Sequence, residues 1–281
     1  MPAVFKYPAD RSRVAVFVAI FAVDIAVYLS VDNPILLLGY FALTILPKGA
    51  ACAFNHHHQH LPTFRVPLLN RALEILYALQ TGVSSHTWVL HHSVGHHLNY
   101  LDQEKDQSRW MRKDQSVMGQ VEYSLVTSLT SYWRAWKVGV KYPKFRRVFL
   151  VMGIITVAVI AGLVWFRPVS GLIIFVLTPA ASLFGTAWAT YAHHTSRSTD
   201  SPFVASTNVL QPLYNFWTGN LGYHTAHHYR PGVHWSKLRE LHAKISDQIP
   251  PDAYVAAGWP WRLVGSGIPA GISKASVSVP N

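Results

Sequence analysis

Three short clusters of histidine in this sequence have spacings that suit metal binding. They read NHHHQH at residues 55–60, HHSVGHH at residues 91–97 and HTAHH at residues 224–228. On a helix, residues three or four positions apart share a face, so His56 and His60 are able to bind one ion together. The same spacing predicts pairs elsewhere, namely His92 with His96, and His224 with His227 and His228.

Adjacent histidines indicate more than one metal. Neighbouring side chains on a helix with 3.6 residues per turn point about 100° apart, so His96 and His97 are predicted to reach two different ions. Neutral imidazole nitrogens suit iron, zinc, copper or nickel. Cys52 is the single cysteine, which excludes a thiolate site and an intrachain disulfide. The spacing alone leaves the choice among these metals open.

The elements that position the clusters are apolar segments long enough to cross a bilayer. Half of the 281 residues are apolar and 13% are charged, and a span of about 30 Å of hydrocarbon needs roughly 20 apolar residues. Four segments meet this requirement, at residues 14–31, 34–54, 148–166 and 169–192. We predict an all-α membrane protein with four transmembrane helices in two hairpins and a cytoplasmic helical cap that carries the histidine clusters.

The remaining organisation is simple. Residues 68–79 are apolar but too short to cross, so they predict a helix at the membrane interface or beneath the clusters. Residues 1–13 are expected to stay as the start of a membrane anchor rather than to be removed as a signal peptide. All 281 residues are predicted to form a single domain.

The distribution of Lys and Arg predicts the orientation. The turn at Asp32 has no basic residue and the turn at residues 167–168 has only Arg167, whereas nearly all the others lie on the opposite side. Basic residues concentrate on the cytoplasmic side, so both termini and all sixteen histidines are predicted to be cytoplasmic. The net charge of +11 reflects this bias, and no nucleic-acid recognition motif accompanies it.

Together the clusters and the paired spans resemble the integral-membrane fatty acid desaturase and hydroxylase superfamily, which includes alkane hydroxylases and carotenoid ketolases. The likeness covers residues 34–241 and is most specific in YHTAHHYRPGVHW, where HxxHH is followed by Pro231 and Trp235. The segment TYAHHTSR resembles the stretch after the fourth span that supplies one further ligand, His194, with His193 as the alternative. The resemblance implies a centre of two non-haem iron ions (Fe²⁺), with dioxygen as co-substrate.

Carried over position by position, the resemblance implies nine metal ligands. These are His56, His60, His92, His96, His97, His194, His224, His227 and His228. No catalytic residue beyond the metal ligands is identified.

Two departures from the desaturase pattern bear on function. The second cluster, HSVGHH, looks closer to the alkane hydroxylase form, so desaturation of a fatty acyl chain in a membrane lipid is the first prediction and hydroxylation of an alkyl or fatty acyl chain is the alternative. The chain has no HPGG stretch and no fused haem-binding carrier, so electrons are expected from a separate ferredoxin- or rubredoxin-like protein.

The basic residues of the cytoplasmic side have two interpretations. They either dock an acidic electron donor or only enforce orientation and bind lipid phosphates. They are Lys105, Arg109, Arg112, Lys113, Lys137, Lys141, Lys144, Arg146 and Arg147. A histidine-rich metal transporter is a remote alternative function, because it should place polar ligands within its spans and only Asp24 is found there.

Overall fold

The computed structural model describes residues 4–258, 260–265, 267 and 268. Ten α-helices organise these residues, and within them no β-strand forms. The helices are α1 (Asp10–Ser30), α2 (Pro34–His60), α3 (Pro67–Thr81), α4 (Gln120–Gly139), α5 (Pro143–Phe166), α6 (Pro168–Leu172), α7 (Thr178–His194), α8 (Pro212–Thr218), α9 (His224–Tyr229) and α10 (Leu238–Ile245). Two π-helices, Val89–Val94 and Ile173–Leu177, and four short 3₁₀ turns, Trp235–Lys237, Ser246–Gln248, Pro251–Ala253 and Trp261–Val264, complete the regular structure.

Four helices of the described residues are long and apolar enough to cross a membrane. They are α1, α2, α5 and the continuous segment Pro168–His194. The helices extend beyond the predicted apolar segments at several ends, because helix formation does not stop where the apolar run stops. Helix α1 begins at residue 10 rather than 14, and α5 begins at Pro143 rather than 148, where proline suits the first helical position.

Helix α2 differs most from its predicted limits, and the difference matters for the site. The predicted apolar segment ends at residue 54, but the helix continues to His60, so the first histidine cluster forms its last turns. Leu61 leaves the helical conformation because it precedes Pro62, and a residue before proline avoids the α-helical region. The first cluster is therefore rigidly continuous with a candidate span.

Backbone contacts divide the chain into two compact units. Unit 1 contains the residues up to His91 together with Thr130–Thr186, and unit 2 contains His92–Leu129 and the residues from Ala187 onward. Contacts are denser within each unit than between them. The single domain over residues 1–281 stays a prediction.

Unit 1 is built around α1, α2, α3, α5 and the π-helix Ile173–Leu177. Its core includes Tyr28, Leu37, Leu79, Ile174 and Phe175. Helix α3, predicted as an interfacial or underlying helix at residues 68–79, packs against α1, α2 and α5. Its polar residues Glu74 and Gln80 are buried, so α3 is a packed helix of unit 1.

The two short turns of unit 1 lie side by side. Asp32, between α1 and α2, forms an ion pair with Arg167, between α5 and α6, at 2.5 Å. The Tyr28 hydroxyl also donates a hydrogen bond to the carbonyl of Leu163 at 2.7 Å. The ion pair joins the α1–α2 turn to the α5–α6 turn, and the hydrogen bond joins α1 to α5 near these turns.

A buried ion pair joins the first two candidate spans. The Lys48 ammonium lies 2.8 Å from Asp24 Oδ1, and neither side chain is exposed. The Tyr40 hydroxyl donates to the same carboxylate oxygen at 2.8 Å. Charged residues inside apolar helices are costly unless they pair. This arrangement pairs Asp24 with Lys48, the two charged residues of the apolar segments 14–31 and 34–54.

Unit 2 contains the loop after the second histidine cluster and helices α8, α9 and α10. One part of its core is Ala226, Ile245, Ile249, Ala253 and Tyr254, and another is Trp110, Met118, Tyr123, Ala187 and Tyr191. Asn208 and Tyr254 form an isolated parallel bridge, in which the Asn208 amide donates to the carbonyl of Ala253 at 2.6 Å. This bridge fixes the position of Asn208, whose side chain contacts the third histidine cluster.

Candidate metal centre

In unit 1, the first cluster places two imidazoles together. The Nε2 atoms of His56 and His60, one helical turn apart on α2, lie 3.2 Å from each other. A metal–nitrogen bond of about 2.1 Å separates two ligands at a right angle by about 3.0 Å. The 3.2 Å separation of the Nε2 atoms agrees with the prediction that His56 and His60 lie on the same face of a helix.

The other polar residues of the first cluster hold the end of α2 in place. Asn55 donates to Thr81 Oγ1 and to the carbonyl of Val83, both at 3.1 Å. Gln59 donates to Asn55 Oδ1 at 3.0 Å and accepts from the amide of Trp88 at 3.0 Å. The Gln59 contact fixes the segment that enters the second cluster.

His58 is a buried residue of the first cluster with polar neighbours at both ring nitrogens. Its Nδ1 lies 2.9 Å from Thr63 Oγ1, and its Nε2 lies 3.4 Å from Glu74 Oε1. Glu74 also accepts from Ser85 Oγ and Arg71, each at 2.5 Å. Despite its burial, these hydrogen bonds and the positive charge of Arg71 lower the pKa of Glu74 below its usual value.

The second cluster is not an α-helix, and this changes which histidines meet. Residues Val89–Val94 form a π-helix, and the amide of His97 donates to the carbonyl of His92 at 2.8 Å. This wide turn brings residues five apart together. His92 was predicted to pair with His96, but its Nε2 lies 2.9 Å from Nε2 of His97. The predicted pairing was therefore wrong.

The third cluster is the short helix α9, and Asn208 holds its first turn. Asn208 Oδ1 accepts from the amide of Thr225 at 3.1 Å, and Nδ2 donates to Thr225 Oγ1 at 2.8 Å. Gly222 precedes α9 at a point where two segments of the backbone approach closely. A Cβ atom at this position would lie 2.1 Å from the carbonyl oxygen of Val209. The third cluster therefore depends on a glycine two residues before it.

Unit 2 gathers three of the predicted ligands into what we call the first histidine group, His92, His97 and His227. Ligand nitrogens of the three lie within 4.8 Å of one another. Nε2 of His97 is 2.9 Å from Nε2 of His92 and 3.0 Å from Nε2 of His227. The pairing of His227 with His224 was wrong, because His227 turns toward the second cluster instead.

Three further ligands form the second histidine group, His96, His194 and His228. All three are buried, and ligand nitrogens again lie within 4.8 Å of one another. Nε2 of His224 lies 3.0 Å from Nε2 of His194, so His224 borders this group. His96 and His97 belong to different groups, as the 100° divergence of adjacent side chains predicts.

His194 and His193, the two alternatives at the end of α7, have different environments. His194 donates through Nδ1 to the carbonyl of Ala205 at 3.2 Å, which directs Nε2 to the second histidine group. His193 uses both nitrogens on protein, donating to the carbonyl of Thr207 at 3.2 Å and accepting from the Tyr214 hydroxyl at 3.0 Å. The structure thus brings His194 and not His193 into the group.

The second histidine group has the donor chemistry that a metal ion needs. Nε2 of His96 and both ring nitrogens of His228 are buried and, within the described part of the chain, make no hydrogen bond. Burial lowers the pKa of His228 well below its usual value, and neighbouring imidazoles act in the same direction. A neutral imidazole with a buried lone pair is a ligand for iron, zinc, copper or nickel, so these residues fit a bound transition metal.

Asp106 is a residue of this centre that sequence reasoning missed. Its buried carboxylate oxygen Oδ1 accepts from His96 Nδ1 at 2.7 Å and from the amide of Ser108 at 2.7 Å. A hydrogen bond from Nδ1 to a carboxylate fixes the ring with the Nε2 lone pair free for metal. In the sequence, Asp106 lies ten residues after His96, in a loop of mixed charge. This loop has no helical or strand periodicity that would indicate which side chain Asp106 contacts.

We expect Asp106→Ala to weaken metal binding by 10- to 100-fold, which is about the effect of removing the hydrogen-bond partner of a ligand. Asp106→Asn keeps an acceptor oxygen and should lose less. Chelator competition on purified protein measures both. The matched control is Asp102→Asn, because Asp102 lies in the same loop but pairs with the exposed Lys105. Equal metal retention by Asp106→Ala and the unaltered protein would contradict the assignment.

Two further histidines of unit 2, His234 and His242, lie outside the histidine groups. His234 Nδ1 caps the turn at residues 235–237 by accepting from the Ser236 amide. His242 packs against Tyr223 and Tyr254, and burial lowers its pKa to about 4. Both side chains are buried within unit 2.

The two histidine groups lie side by side within unit 2, since the rings of His97 and His228 stack with centroids 4.2 Å apart. Adjacent groups of buried imidazoles, on a chain with four helices apolar enough to cross a membrane, are the features through which the sequence resembled a known family. A search of curated proteins and a search of solved structures gave no match. The family model described as fatty acid desaturase matches residues 32–259. Because this match covers most of the chain, with both groups and three of the four apolar helices, all but α1, the chain belongs to the fatty acid desaturase family.

Proposed function

We propose that this protein is a membrane di-iron oxidoreductase that uses dioxygen and externally supplied electrons to introduce a double bond into a fatty acyl chain. The observation that carries the proposal is the pair of adjacent histidine groups, each with ligand nitrogens within 4.8 Å, in a chain of the fatty acid desaturase family. Two neighbouring metals suit a reaction in which dioxygen is reduced and a carbon–hydrogen bond is broken.

The proposed ligand set is the nine histidines that the family resemblance implies. His92, His97 and His227 would hold one iron, and His96, His194 and His228 the other. His224 adjoins the second histidine group through His194. His56 and His60 are carried over from the resemblance, and their 3.2 Å Nε2 separation is compatible with binding one ion.

Bound iron would supply the reduction of dioxygen and the removal of hydrogen from a methylene group that no protein side chain could activate. The side chains of this chain have other tasks. Asp106 and the carbonyl of Ala205 orient His96 and His194 through their Nδ1 atoms. Burial keeps the rings dry, which protects a reactive centre from water.

We further propose the membrane topology that the basic residues predict. The four apolar helices would form two hairpins, one of α1 with α2 and one of α5 with the segment Pro168–His194. A cytoplasmic helical cap would carry the histidine clusters. Support comes from the adjacent Asp32 and Arg167 turns, which suit one external end. Both termini and the histidine groups would be cytoplasmic. A reporter protein fused after Asn281 would test the position of the C-terminus. Asn281 itself lies outside the described residues.

Mass spectrometry of lipids from cells with and without this protein tests the reaction. Acyl chains lighter by two hydrogens are the expected product. The matched control is the same host producing His228→Ala, which should leave the lipids unchanged. An unaltered lipid profile with fully metal-loaded protein would contradict the proposal.

A hydroxylase of alkyl or fatty acyl chains is the second candidate. The observation in its favour is the second cluster, HSVGHH, which resembles the alkane hydroxylase form. The same lipid measurement separates the two, because a hydroxylase adds one oxygen instead of removing two hydrogens. A metal transporter has less support, since Asp24, the acid within its spans, is engaged by Lys48 and Tyr40.

We propose a separate acidic electron donor, of the ferredoxin or rubredoxin type, that docks near the loop after the second cluster. Two of the basic residues predicted for this surface are already paired. Lys105 lies 2.6 Å from Asp102, and Arg112 pairs with Glu122. Arg109 and Lys113 are therefore the better residues to alter, because changing them breaks neither ion pair.

Reversing Arg109 and Lys113 to glutamate is expected to slow donor-limited turnover about tenfold at low ionic strength and to flatten its salt dependence, because complementary charge speeds encounter. Turnover with purified donor at several salt concentrations measures the effect. The control, Lys237→Glu with Arg239→Glu, changes the net charge equally at the end of the 235–237 turn and the start of α10. The same slowing in both variants would contradict docking at the 109–113 segment.

A further inference from the structure

Helix α4 presents large apolar side chains on its exposed side. Val121 is 56% exposed, Leu125 46%, Leu129 80% and Trp133 58%. At 3.6 residues per turn these four side chains fall within an arc of about 120°. We call Val121, Leu125, Leu129 and Trp133 the apolar stripe of α4.

The buried side of the same helix has small and hydroxyl-bearing residues. Ser124, Thr127, Ser131 and Ala135 are all buried, and they lie on the arc opposite the apolar stripe. A surface helix of a water-soluble protein shows the reverse pattern, with its apolar residues turned inward. The exposed side of α4 is therefore suited to an apolar environment and not to water.

The place of α4 in the chain identifies that environment. Three residues, 140–142, connect it to α5, which is a candidate membrane span. The first turns of α5 carry Lys144, Arg146 and Arg147, and basic residues at the end of a span mark the level of the lipid headgroups. The C-terminal end of α4 is therefore held at the bilayer surface by covalent continuity with α5.

Aromatic and basic residues at this end of α4 match the chemistry of the headgroup region. The Lys137 ammonium lies 5.2 Å from the centre of the Trp133 ring, and the Arg146 guanidinium lies 3.5 Å from that of Trp136. Tryptophan concentrates at membrane interfaces, and Lys and Arg bind lipid phosphates there. The acid that falls within the arc of the stripe, Glu122, is paired with Arg112.

We propose that α4 lies in the plane of the membrane interface, with its apolar stripe against the acyl chains of the bilayer and with Lys137, Lys141 and Lys144 at the phosphate level. Interfacial helices of this kind bury the apolar face about 5–10 Å below the headgroups. Helix α4 is too polar on its other side to be a fifth span. This inference does not depend on the proposed reaction.

Site-directed spin labelling of protein in phospholipid vesicles tests the inference. Cys52→Ala removes the single cysteine, after which Leu125→Cys and Leu129→Cys each introduce one exposed site for a nitroxide label. Oxygen concentrates among acyl chains, whereas a neutral water-soluble nickel chelate stays in the aqueous phase. We expect the ratio of oxygen to nickel relaxation at both sites to exceed that of an aqueous site about tenfold, given the depth of interfacial helices.

Two controls define the other environments. Lys113→Cys, in the exposed loop before α4, should be reached by nickel, and Thr127→Cys, on the buried side of α4, should be reached by neither reagent. Labels at 125 and 129 that respond to nickel as Lys113→Cys does would overturn the proposal by placing the stripe in water. Labels that respond to neither reagent would also overturn it, because the stripe would then be covered by protein.

Discussion

Replacing His228 or His227 with alanine is expected to reduce turnover at least a thousandfold while each variant keeps about one of two metals, since an iron that loses an imidazole ligand binds far more weakly. His227 belongs to the first histidine group and His228 to the second. The two variants should therefore each lose a different ion. Iron per chain, determined on purified protein by elemental analysis, measures this directly.

The matched control is His242→Gln. His242 is also a buried histidine of unit 2, but it packs against Tyr223 and Tyr254 and lies outside both groups. It should retain both irons and normal insertion into the membrane. One zinc and no iron in the unaltered protein, or full iron in both alanine variants, would contradict the assignment.

Removing the carboxylate of Asp24 should be the most damaging change in the first two helices. Asp24→Ala leaves the Lys48 ammonium without its 2.8 Å partner at a position that is not exposed. Breaking a buried ion pair by removing one partner typically costs about 3–5 kcal/mol. Unfolding in detergent, followed by circular dichroism, should show a loss of this size in the free energy of unfolding.

The triple variant Asp24→Leu, Tyr40→Phe and Lys48→Met tests the cause. It removes all three polar groups together, and apolar replacement of a buried pair is often neutral or stabilising, so stability should return. Asp32→Asn is the comparison for an exposed pair, because Asp32 is 86% exposed beside Arg167 and such pairs contribute about 1 kcal/mol or less. A triple variant as unstable as Asp24→Ala would show that the pair itself is not the source of the loss.

Local patterns in the sequence were sufficient for the helical class and for the candidate ligands. Apolar runs predict helices because a spanning segment must satisfy its own backbone hydrogen bonds, and all four were found in the structure with ends shifted by a few residues. The His56 and His60 pair was predictable for the same reason, since α2 is a regular helix in which spacing decides what shares a face. The topology and the bound metals remain predictions.

Tertiary structure decided which histidines meet. The pairing of His92 with His97 follows from a π-helix, and no local spacing rule distinguishes a π-turn from an α-turn. The contacts His97–His227 and His194–His224 join residues 130 and 30 positions apart, so packing rather than periodicity creates them. Asp106 was invisible for the same reason, because a loop residue takes its role from the side chain it reaches. The sequence determined that many imidazole side chains are present, and only the fold sorted six of them into two groups.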